Sequence, residues 1–122
     1  MMFKEMLEAM VERTNDCLGA LIMGTDGIAV EKVLRQSGRD ANLDLAAMEF
    51  CSFVRYAQNC GAHAGLGQLH EVTVAHDNAN IIMRLLNREY FLVLAIKPEG
   101  NLGRARHELR TAELALAQEF AL

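Results

Sequence analysis

The sequence predicts an α/β fold in the order α-β-β-α-β-β-β-α, with a five-stranded antiparallel sheet packed between helices. Three observations carry that expectation. Three segments repeat apolar residues at the spacing of one helix face. Five short apolar runs lie between them, and the links between neighbouring strand-like runs are short enough for hairpins.

Residues 2–14 place Phe3, Met6, Leu7, Met10 and Val11 on one side and Lys4, Glu5, Glu8 and Glu12 opposite, an amphipathic helix ended by Asn15-Asp16. "CLGALIM" and "IAVEKVL" flank Gly24-Thr25-Asp26-Gly27 and read as a hairpin around an Asp-Gly turn. "RQSGRDAN" is a polar loop with Gly38, and Asp40 or Asn42 is placed to cap the next helix. That helix covers residues 43–60, with Gly61 placed to end it. Three strands follow in "QLHEVTVAH", "NIIMRLL" and "YFLVLAIK", separated by Asp77-Asn78-Ala79-Asn80 and Asn87-Arg88-Glu89. From Leu102 to Phe120, a last helix stripes Leu102, Ala105, Leu109, Ala112, Leu116 and Phe120 along one face.

The 122 residues are expected to form one domain, 1–122. Apolar residues make up 52% and charged residues 23%, a lean that small chains often resolve by burying surface against another chain. A net charge of −4 and a pI near 5.5 argue against nucleic-acid binding, which needs basic surface to release counterions, and against a basic membrane patch. Cys17, Cys51 and Cys60 are odd in number and widely spaced. A disulfide framework or CxxC zinc site is therefore not expected, and a reducing cytoplasm is the natural home. Glu5, Glu8 and Glu12 break the N-terminal stretch, so no signal peptide is expected, and no run approaches the ~20 apolar residues of a membrane span.

The segment "LVLAIKPEGNLGRARHELR" poses a choice between a phosphate loop and a strand-to-helix corner. A phosphate loop needs a Walker-type lysine or GxGxxG in a parallel sheet, and neither occurs. In the corner reading Pro98 stops the ladder, Gly100 suits a positive φ, and Asn101 is the N-cap. Arg104 with Glu108, and Arg110 with Glu113, are spaced to pair along an exposed face. The alternative is an anion patch of Arg106 and Arg110.

His63, His70, His76 and His107 lack metal-ligand spacing, and His70 and His76 stand roughly 20 Å apart along an extended strand. Cys51 and Cys60 read as buried small hydrophobes. "HAGLGQL" follows a helix and precedes a strand, the wrong polarity for a phosphate cradle, so a flexible connection is the simpler reading. No nucleophile elbow is present.

The second helix, "LDLAAMEFCSFVRYAQNC", is the most informative segment. At about 100° per residue, Leu43, Ala46, Ala47, Phe50, Val54 and Ala57 share one band that suits packing on the sheet. Beyond it Phe53, Cys60, Tyr56 and Leu45 continue the apolar surface, interrupted only by Glu49. Asp44, Ser52, Arg55, Gln58 and Asn59 fill the polar remainder. Such an aromatic patch fits an interface; the alternative is that the loop at 35–42 covers it. The strand after it alternates Leu69, Glu71, Thr73 and Ala75 with His70, Val72, Val74 and His76, neither side strongly apolar. That suits a sheet edge, which can pair with its twin across a two-fold axis.

In order and together, the stretch "GALIMGTDGIAVEKV", with Gly19-Ala20 through Asp26-Gly27, and the corner "FLVLAIKPEGNLGRARHELR", with Asn101-Leu102-Gly103, Arg106 and Leu109, resemble the roadblock/LC7 family. The resemblance runs from about Cys17 to Phe120. It implies a sheet between a long central helix and the two terminal helices, and a homodimer joined through that central helix and the third strand. It also implies a non-enzymatic protein that binds Ras-like small GTPases or acts as a scaffold. The similar bacterial members are MglB-type dimers that stimulate an MglA-type GTPase by rearranging the GTPase's own catalytic groups, with no arginine finger. This chain is shorter than that pattern, so a scaffold without GTPase activation is the live variant.

The interface residues expected are Leu45, Glu49, Phe53 and Tyr56, with Val72 and Val74 on the edge strand, while Phe50 and Val54 belong to the core. No catalytic, cofactor-binding or metal residue is assigned. A small-ligand sensor is the rival from another class, motivated by seven methionines, which core filling explains more simply. An enzyme with a dispersed site is the third reading.

Overall fold

A computed structural model describes residues 2–35, 41–117 and 119–120. The elements are α1 (Met2–Arg13), β1 (Cys17–Gly24), β2 (Ala29–Leu34), α2 (Leu43–His63), β3 (Glu71–Ala75), β4 (Asn80–Leu85), β5 (Tyr90–Ile96) and α3 (Leu102–Leu116). The expected order of elements is borne out. The five strands form one sheet in the order β2-β1-β5-β4-β3, and every neighbouring pair is antiparallel.

The sheet explains why β1 and β5 read as unbroken apolar runs. They lie at its centre, and helices cover both faces, so nearly every side chain on both strands is buried. On one face Leu21, Met23, Met83, Phe91 and Val93 pack with Ala47, Phe50 and Val54 of α2. On the other, Ala20, Ile22, Ile82, Leu92 and Leu94 pack with Leu7 and Met10 of α1 and Ala105 and Leu109 of α3. A register shift between Cys17 and Gly19 sets which β1 side chains reach which face. Burying a residue such as Phe91 or Leu94 contributes about 2–3 kcal/mol.

Several local expectations are corrected. Helix α2 does not stop at Gly61 but runs to His63. Gly61 serves a close approach instead: a β-carbon there would lie 2.7 Å from the Gly67 carbonyl oxygen. The following loop folds back on the helix end, with Leu66 N–H donating to the Gly61 carbonyl (2.8 Å). The turn itself uses Gly65 and Gly67, at φ +71° and +87°. That turn delays β3 until Glu71, so His70 and His76 flank the strand and do not belong to it.

Gly100 has no positive φ; its missing side chain makes room beside the Lys97 carbonyl and Ile96. The last helix ends at Leu116, and Phe120 lies beyond it, stacked on Phe3 with ring centroids 5.3 Å apart. Glu113 pairs with Arg84 of β4 (2.8 Å) and not with Arg110. Cys60 is exposed, not buried. Asn42 caps α2; Gly38 and Asp40 lie outside the described residues.

Candidate interaction face on the central helix

Helix α2 is fixed at its start by sequence-local bonds. Asn42 Oδ1 accepts the Leu45 N–H (3.0 Å), satisfying one of the helix's orphan donors. Asp44 in the first turn favours the positive helix end and pairs with Lys32 of β2 at 3.0 Å. The buried side, Leu43, Ala47, Phe50, Cys51, Val54 and Gly61, then faces the sheet.

The opposite side of α2 is open. Leu45 (52%), Met48 (53%), Phe53 (56%) and Tyr56 (76%) are all largely exposed, with exposed Glu49 among them. Leu45, Glu49, Phe53 and Tyr56 lie within about 80° around the helix and about three turns along it, so the patch is an elongated stripe with Met48 at its margin. Phe53 is held from beneath: its ring stacks on the buried Phe50 at 5.7 Å, and Phe50 stacks on His76, just past β3, at 6.1 Å. Arg55 is drawn off the stripe, donating to the Thr25 carbonyl and to Ser52 Oγ. No other described part of the chain covers the stripe; residues 36–40 of the loop considered as a cover lie outside the described residues.

The four helix residues expected at the interface, Leu45, Glu49, Phe53 and Tyr56, thus share one exposed face. Met48 was missed because on the helical projection it falls in the polar arc beside Asp44, Ser52 and Arg55. Val72 and Val74 sit on β3, an edge of the sheet, with half-buried side chains packed toward α2. An edge strand carries a row of unpaired backbone N–H and C=O groups. The other side of β3 is tied to α3, where Arg106 contacts Glu71 (3.0 Å) and Thr73 Oγ1 (3.3 Å).

Those contacts also decide the anion-patch alternative, because Arg106 is already paired with a carboxylate. The glycine-rich corner is a helix start: Asn101 Oδ1 accepts the Arg104 N–H (3.0 Å), and Arg104 contacts Glu108 and the Arg13 carbonyl. Burial pushes the Cys17 thiol up to about 11 and raises Cys51 as well, so both are poor nucleophiles at neutral pH. Among the described residues no cluster of histidine, cysteine, aspartate or glutamate could hold a metal ion, and no helix is long and apolar enough to cross a membrane.

No protein-family model matches the sequence, and no curated protein does. Solved structures match closely. MglC from Myxococcus xanthus is 30% identical, aligning over 98% of this chain and 100% of its own, with a TM-score of 0.69. A roadblock/LC7 domain from Streptomyces avermitilis is 13% identical over 98% of each chain, with a TM-score of 0.83. The gliding protein MglB from Thermus thermophilus is 19% identical over 93% of this chain and 84% of its own, with a TM-score of 0.80. A five-stranded antiparallel sheet between one long helix and two terminal helices is the fold this chain shares with these structures. The chain belongs to the roadblock/LC7 family, with an MglB-like fold.

Proposed function

We propose that the chain is a non-enzymatic, homodimeric regulator that binds a Ras-like small GTPase of the MglA type, stimulates its GTP hydrolysis, and works in the cytoplasm. One observation carries the reading: the exposed stripe of Leu45, Met48, Phe53 and Tyr56 on α2, with an aromatic anchor already held in place. Large aromatics on a rigid helix are the residue types that dominate interface energetics. The two edges of the sheet differ in a way that favours β3 as the dimer edge. Strand β2 carries Glu31 and Lys32 at mid-strand, charges that discourage edge pairing. Strand β3 reads Val72-Thr73-Val74, and pairing about a two-fold at Thr73 sets threonine against threonine and valine against valine. Leu45, Glu49, Phe53 and Tyr56 then flank the joined edge and serve the second copy and the GTPase.

The test is single-turnover GTP hydrolysis by the small Ras-like GTPase of the same organism, with and without this protein. Acceleration of about tenfold or more, a barrier lowered by about 1.4 kcal/mol, supports activation through the partner's own groups. Nucleotide-dependent binding without acceleration makes the chain a scaffold. Neither binding nor acceleration removes the GTPase from the reading.

A further inference from the structure

A cleft of about 650 Å³ opens at the C-terminal end of α2, between its last turns, the loop that follows, and the β4–β5 hairpin. Its size is that of a small-molecule site. Its chemistry is one-sided: no acidic side chain lines it, although the chain carries 16 acidic residues and a net charge of −4. Arg88 is its one charged residue, exposed and in no ion pair among the described residues.

The backbone adds donors. Gly67 and Gln68 line the cleft, and neither main-chain N–H has a backbone partner among the described residues. Gly65 and Gly67 take left-handed φ, and a β-carbon on either would meet open space, so these two positions leave the cleft unfilled. The carbonyls at the helix end would repel an anion, but two of them are capped: Ala64 N–H donates to Cys60 O and Leu66 N–H to Gly61 O, both at 2.8 Å. Gln58 donates to the Arg88 carbonyl (3.1 Å) and so ties the hairpin to the helix. Leu69, half-buried beside the α2-side core, adds apolar surface, while Leu85 is turned into that core and Leu86 packs toward the opposite sheet face.

We propose that this cleft binds a small carboxylate-bearing molecule, with Arg88 as counter-ion, the Gly67 and Gln68 amides as donors, and the molecule's apolar body against Leu69. A charged donor on a carboxylate is about twice as strong as a neutral one, so the acid is preferred over its amide. The site goes beyond the interface reading. None of Leu45, Met48, Glu49, Phe53 and Tyr56 lines the cleft, although Asn59, which does, lies about one turn from Tyr56.

The test uses N-acetyl-L-leucine and N-acetyl-L-leucinamide as probes, titrated into the full chain and followed by amide chemical shifts. The expected result is shifts confined to residues 65–68 and 86–88, with the acid near millimolar affinity and the amide at least tenfold weaker. Arg88→Gln, an exposed change, should erase the preference while leaving the remaining spectrum in place. No shift at ~10 mM acid overturns the proposal, because a ligand of this size should saturate there. Equal shifts with the amide, shifts elsewhere, or a preference that survives Arg88→Gln overturn it equally.

Discussion

Phe53 stacks on Phe50, ring centroids 5.7 Å apart and 28° from parallel, so an exposed ring is held by a buried one. The entropy of fixing Phe53 is thereby spent during folding and not during association, which is how preorganised anchors gain affinity. Replacing Phe53 with arginine should abolish self-association, because a charge enters the apolar stripe. Stability should change little, since the position is exposed. Light scattering checks the first claim and circular dichroism with urea unfolding the second. An unchanged mass would remove Phe53 from the interface.

Gly61→Ala should destabilise the fold by about 1–3 kcal/mol, the usual cost of overpacking, although alanine is the better helix former. The added β-carbon would sit 2.7 Å from the Gly67 carbonyl oxygen, a main-chain atom without a rotamer to give way. Gly65 and Gly67 have open space but left-handed φ, so alanine there is opposed by backbone strain alone. Urea midpoints for the three single variants should place Gly61→Ala lowest.

Asn101→Ala should cost about 1 kcal/mol through loss of the α3 cap to Arg104 N–H, and Asn101→Ser should recover most of it. The pair of unfolding midpoints measures this. A loss in alanine that serine does not recover would point to a role beyond capping.

The thiols should separate by reactivity. Cys60 is exposed, whereas Cys17 and Cys51 are buried. A thiol reagent at pH 8 should label one cysteine quickly in the folded chain and three in denaturant. Burial raises the Cys17 thiol from its ordinary 9.0 to about 11, so between those values the folded chain keeps a proton that the unfolded chain has released. Stability from this group is therefore complete below about pH 9 and falls as pH rises toward 11. The fall from this group should be about 2–3 kcal/mol at most, and Cys17→Ala should remove that share and leave the one from Cys51, which burial raises too.

Much of this molecule was legible because its signals are local. The stripe of Phe3, Leu7 and Met10, the Asp-Gly turn, the Asn42 and Asn101 caps and the apolar runs of β1 and β5 each depend on residues a few positions apart. The misreadings share a different cause. Gly61 resembles a helix terminator in sequence, but its reason is a carbonyl six residues on, reached only after the chain turns back. Glu113 has Arg110 three residues away, yet it pairs with Arg84, brought near by the sheet. Met48 joined the exposed stripe and Cys60 the surface because α2 sits with one side against the sheet, a placement that helical projection alone does not fix. The cleft beside Arg88 has no sequence signature, being assembled from a helix end, a loop and a hairpin.

The central claim is that the exposed face of α2, with the β3 edge, joins this chain to a second copy and to a small GTPase. Mass measurement by sedimentation equilibrium, on the chain alone and with the GTP-loaded small Ras-like GTPase of the same organism, tests it most directly. The account predicts 27 kDa for the wild type, twice the 13.5 kDa chain, and a heavier complex when the GTPase is added. For Phe53→Arg it predicts a folded 13.5 kDa monomer that no longer shifts the GTPase. A wild-type chain that stays at 13.5 kDa at every concentration, or a Phe53→Arg variant that still dimerises and still binds, would contradict it.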